Sequence, residues 1–233
     1  MTLKKWLYLF GTTLLIGGLT ALITGTVMEA TEQSLFTSGI INLLLGILGF
    51  FGAGMMFSVI SQMGFFAYLW VHRFGLAVFR RPYLWLGIQI IVTVVVFIDF
   101  ALVRQIYFGN NQSIWEYFLI PSLLFAWAVL VSLWKVKETN QKAFIPTLFF
   151  LFVVTIVEWV PALRENNIRS MIFMLIPLMA CNTWQVMKLH HLVETETSEE
   201  MKESTGSKGR RKSRESAGVK TTIKKSDINS KRN

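Results

Sequence analysis

Six runs of apolar residues, each long enough to cross a bilayer, constrain this chain more than any other feature. They lie at about Trp6–Met28, Ile40–Trp70, Leu84–Val103, Ile114–Trp134, Ala143–Val160 and Met171–Met187. A bilayer core takes roughly 20 apolar residues per helix. Backbone surrounded by lipid must satisfy its own hydrogen bonds, which favours helices over open strands. The expected fold is therefore all-α, a polytopic bundle of six transmembrane helices. Composition agrees: 53% of the 233 residues are hydrophobic and only 16% are charged, where a soluble domain carries about 25%. The first run sits where a secretory signal peptide would, but it is long for one and has no small-residue cleavage pattern after it. It is read as a retained helix. The second run exceeds what a bilayer needs, so it must tilt, kink or emerge at one end. The cluster Phe51–Gly54 is the candidate kink.

Charge placement sets the expected orientation. Of the 23 lysines and arginines, 20 fall at the N-terminus, in the loops after runs two and four, or from Lys188 onward. By the positive-inside rule that side is cytoplasmic, and an even number of spans puts both termini there. The chain divides at about residue 190. Residues 1–190 hold the spans, and residues 191–233 form a tail, first acidic and then basic and serine-rich, that reads as disordered. A polybasic stretch is attracted to an anionic leaflet by about 1 kcal/mol per charge at the surface. Two readings stay open for it: a solvated tail that supports topology, or a contact with anionic lipid. Nothing in it specifies nucleic acid.

Catalytic and metal-binding patterns are absent from the sequence. Cys181 is the only cysteine, which excludes an intramolecular disulfide and a cysteine-rich zinc site. His72, His190 and His191 form no HExxH arrangement, and there is no P-loop, GxSxG or dinucleotide fingerprint. The expectation is a protein that is not an enzyme and needs no cofactor.

Polar residues inside the runs remain to be explained. Within SVISQMGFFAYLWVHRFG, residues 58–75, helical periodicity places Ser58, Ser61, Gln62, Tyr68, His72 and Arg73 in an arc of roughly 140°. Such a stripe does not face lipid cheaply. It is either hydrogen-bonding glue between helices or a cytoplasm-facing pocket or docking face. Gly17, Ala21 and Gly25 form a small-residue face suited to close helix packing, continued on the second run by Gly46, Gly49 and Ala53 with Gly52 and Gly54 beside them. Asp99 and Glu158 sit toward the outer ends of their runs and read as interfacial carboxylates near Arg104 and Arg164. Asn182 and Gln185 share a face of the sixth run, within reach of the Ser61–Gln62 region if the spans pack together.

The block SQMGFFAY–HRFG at residues 61–75, with LLIGG at residues 14–18, resembles the KinB-signalling pathway activation family, KbaA. The likeness extends over about residues 4–190 in length and hydropathy, and the basic tail lies outside it. The resemblance implies a multi-pass regulator of the cell membrane that activates a sensor histidine kinase feeding sporulation. It implies no catalytic residues. On that reading the stripe would contact the kinase's transmembrane helices. Six helices in so short a chain also fit the substrate-binding membrane component of a vitamin-type transporter, which would retain a small molecule on purification.

Overall fold

A computed structural model describes residues 3–31, 40–79, 81–108, 114–163 and 167–189. The basic tail, Arg80 and Arg164 lie outside the described residues, as do the side chains of Arg104 and Glu116. The described chain is helical, and six of its helical segments are long and apolar enough to cross a membrane. The elements are α1 (Leu3–Thr31), α2 (Ile40–Val78), α3 (Pro82–Phe108) and α4 (Ile114–Glu138). The fifth span follows as a 3-10 turn (Gln141–Ala143), α5 (Phe144–Phe149), a π-helical turn (Phe150–Val154) and α6 (Thr155–Leu163). The sixth is α7 (Ile168–Leu189).

The span boundaries follow the apolar runs, and the longest extension is in α2, which continues to Val78 rather than ending near Trp70. At 39 residues it is roughly 58 Å long, against a hydrocarbon core of about 30 Å. It stays α-helical through Phe51–Gly54, so no break in the helix accommodates the excess.

Hydroxyls along α1 are satisfied within the helix. Thr13, Thr20, Thr24 and Thr26 each donate to the carbonyl four residues back, at 2.6–2.8 Å. This is the ordinary way a threonine enters lipid without an unpaired hydroxyl. The helix then packs on α2 through its small residues. A side chain on Gly17 would meet the Gly54 carbonyl at 2.7 Å, and Ala21 is fully buried. Gly25 lies against the ring of Phe50. The expected small-residue face thus joins α1 to α2 within one chain. Its partner on α2 is Gly54. Gly46, Gly49 and Gly52 have nothing within 4 Å of where a side chain would start, and Gly49 and Gly52 lie on the exposed side of the helix.

The fifth span is central: half of its apolar window is buried, against 17% for the second span. Phe97 of α3, Phe125 of α4 and Phe152 of the π turn form a triangle of ring contacts at 5.3–5.9 Å. Phe100 stacks on Trp159 at 5.7 Å, and the Trp159 indole donates to the Met171 carbonyl of α7 at 2.9 Å. Lys135 closes the far end of α7. Expected to be a loop charge, it is 6% exposed and donates to the Val186 carbonyl at 2.9 Å. A cation there meets the last carbonyls of a helix, where the helix dipole favours positive charge.

Gly17→Leu should destabilise the α1–α2 pair by about 1–3 kcal/mol, the usual cost of overpacking. Gly49→Leu should leave stability nearly unchanged. Unfolding of the purified protein in mixed detergent micelles measures both.

Candidate functional site

Read at 100° per residue, α2 has two opposite faces. Ser58 and Ser61 are fully buried, Gln62 is 4% exposed, and Tyr68 is buried. His72 is half-buried and Arg73 is exposed. The far side carries Leu45, Gly49, Gly52, Met56 and Met63, all exposed. The polar stripe therefore exists where periodicity puts it, but it is turned toward the helices of its own chain. Apart from Arg73 and part of His72 it offers no outward docking face. The reason is energetic: hydroxyls and carboxamides find partners only among other helices.

Two polar clusters hang on this stripe. The inner one joins α2, α6 and α7. The Ser61 hydroxyl donates to Asn182 Oδ1 at 2.7 Å. Asn182 Nδ2 donates to Thr155 Oγ1 at 2.9 Å and to Glu158 Oε2 at 2.7 Å. Gln185 Nε2 donates to Ser61 Oγ at 2.9 Å. Gln62 turns toward α1, donating to the Phe10 carbonyl at 3.3 Å and to Ser58 Oγ at 3.2 Å. The thiol of Cys181 lies 3.7 Å from the Thr13 carbonyl. Asn182 and Gln185 thus meet the Ser61 region, as the sequence suggested.

Glu158 corrects a sequence expectation. It is not an interfacial carboxylate: it is 6% exposed and bonded to Asn182. Two local facts bring it inward. A helical Cα–Cβ bond tilts toward the helix N-terminus, so Glu158 on α6 leans back along the fifth span. Asn182 leans the opposite way on the antiparallel α7, and the two side chains converge. The π turn directly before Thr155 also re-aims the residues that follow it. Gly64 makes the space, because any side chain there would run into the Glu158 carboxylate. Asp99, by contrast, is exposed as expected. With one acid buried and the other exposed, the two form no shared acid site.

The second cluster lies nearer the C-terminal end of α2. The Tyr68 hydroxyl donates to the Pro146 carbonyl at 2.9 Å, a bond that ties α2 to α5. Trp85 Nε1 donates to His72 Nδ1 at 3.1 Å, and Gln89 Nε2 lies 3.5 Å from the same nitrogen. Gly75 gives the Trp85 indole room to reach that position. Sequence reasoning passed over Gln89, buried on α3, and Thr155. A glutamine embedded in the third apolar run was the available signal.

No group of three or more histidines, cysteines or acids among the described residues is placed to hold a metal ion. What the arrangement does is join helices by hydrogen bonds inside a low-dielectric interior.

Comparison with known proteins supplies the context. The sequence matches the family described as KbaA, KinB-signalling pathway activation in sporulation, over residues 17–192. It is 38% identical over 183 residues to a KinB-signaling pathway activation protein of Bacillus subtilis (strain 168), covering 77% of this chain and 92% of that one. No solved structure matches it.

If Ser61 and Asn182 contribute through their mutual bond, a double-mutant cycle of Ser61→Ala and Asn182→Ala should show coupling of about 0.6–1.7 kcal/mol, the range measured between membrane helices. Additive effects would show that the contact carries no stability.

Proposed function

The chain belongs to the KbaA family of KinB-signalling pathway activation, and from that membership we propose that it is a multi-pass regulator of the cell membrane that raises the output of a membrane sensor histidine kinase leading to sporulation. The observation that carries this reading is the likeness to the Bacillus subtilis relative over 92% of its length and 77% of this chain. The orientation proposed is the one the charges favour, with both termini in the cytoplasm. The tail would lie beside the anionic leaflet.

For the mode of action we infer helix-to-helix contact within the membrane. The polar stripe is committed to its own chain, so the contact surface must be sought elsewhere. The outer face of α2 supports this reading. Gly49 and Gly52 stand open there between exposed Leu48 and Met56. A glycine within a helix costs about 1 kcal/mol relative to alanine and gains nothing by facing lipid. Against a second helix it permits close backbone approach. A kinase transmembrane helix seated there would shift the kinase only by its differential affinity for the active and inactive states.

Deleting the gene should lower a sporulation reporter severalfold in a normal strain and have no effect in one lacking the kinase. An equal drop in both strains would remove the kinase from the pathway of action. Gly49→Leu, at normal protein level in the membrane, should reproduce the loss. Full reporter output from this variant would move the contact to another face.

A further inference from the structure

Among the described residues, the buried acid Glu158 has no cationic partner: Oε2 accepts the Asn182 amide at 2.7 Å, and Oε1 has no hydrogen-bond partner. None of the neighbouring donors reaches Oε1. Both Asn182 amide hydrogens are used, on Thr155 and on Glu158. The Ser61 hydroxyl hydrogen is given to Asn182 Oδ1. Gln185 donates to Ser61, and its own Oε1 is buried and unpartnered. The hydrogen bonds run from Gln185 through Ser61 and Asn182 to the acid, and each end keeps one oxygen without a partner, Gln185 Oε1 and Glu158 Oε1.

The other titratable groups near this interior are engaged elsewhere. The Cys181 thiol on α7 faces the Thr13 carbonyl, and the Tyr68 hydroxyl on α2 is given to the Pro146 carbonyl. His72 on α2 faces Trp85 and Gln89, and Lys135 on α4 donates to the Val186 carbonyl. Among the described residues none of these is hydrogen-bonded to Glu158. A lone carboxylate in an apolar medium is strongly unfavourable unless something neutralises it. Buried oxygens without partners, one of them on the charged group itself, are the ligand chemistry of a small cation.

We propose that Glu158, with the oxygens of Ser61, Thr155, Asn182 and Gln185 linked to it, is an internal binding site for one monovalent cation, either an alkali-metal ion or a proton. Occupancy draws on residues of α2, α6 and α7 together, so it stabilises the packing of three spans. Gly64 keeps the site open by leaving Oε1 room against α2. The site does not depend on the identity of the signalling partner.

The test uses the full-length protein in detergent at constant ionic strength. Its unfolding midpoint is followed as Na⁺, K⁺ or Li⁺ replaces choline, at several pH values. An alkali ion gives a saturable upward shift that protons compete away as pH falls. A proton gives a midpoint indifferent to the alkali ion that rises as pH is lowered. Either dependence should disappear in Glu158→Gln, which keeps the shape and removes the charge. A dependence that survives in Glu158→Gln overturns the assignment. Should that variant fail to fold, infrared difference spectra of the wild-type protein decide. A carboxyl change on ion exchange or on a pH step supports the site, and silence under both overturns it.

Discussion

The Asn182 carboxamide spends both amide hydrogens and its oxygen on groups from other helices: Thr155 and Glu158 on α6 and Ser61 on α2. In water such a set of bonds would compete with solvent. Between membrane helices the alternative is an unsatisfied polar group in hydrocarbon, so the bonds choose which faces of the helices meet. Three spans are oriented by this one side chain. Gln185, one turn along α7, extends the same contact to Ser61.

Packing around that node relies on opposite means. On one side small residues let α1 and α2 approach until Gly17 and Gly54 touch backbone to backbone. On the other, large rings fill the volume: Phe97, Phe125 and Phe152 interlock, and Trp159 is stacked by Phe100 and tethered to Met171. The π turn Phe150–Val154 lies between these regions, and Phe150, Leu151, Phe152 and Val153 in it are all buried. A wider helical turn is tolerated where neighbouring helices enclose it, and such turns gather at functional positions. The acid it helps direct inward is the only buried carboxylate among the described residues.

The face of α2 that points away from this node is the counterpart of its specificity. Because Ser58, Ser61, Gln62 and Tyr68 must look inward, the residues half a turn away must look outward, whatever their identity. That they include two glycines with open space before them gives the helix a groove as well as a surface. One helix thus carries both an inner face that fixes the bundle and an open outer face.

Much of this was legible in the sequence. Apolar run lengths set six helices long enough to cross a membrane, because lipid admits few other backbone solutions. Periodicity placed Ser58, Ser61, Gln62, Tyr68 and His72 on one face, since the helical repeat depends only on the backbone. The SQMGFFAY–HRFG block pointed to the family. Only the tertiary structure decided that the face looks inward, that Gly54 rather than Gly46 or Gly49 answers Gly17, and that Glu158 is buried while Asp99 is exposed. Those outcomes depend on how antiparallel helices cross and on side chains that lean toward each other from different spans. Such distances belong to pairs of helices, and hydropathy along a single chain carries no record of them.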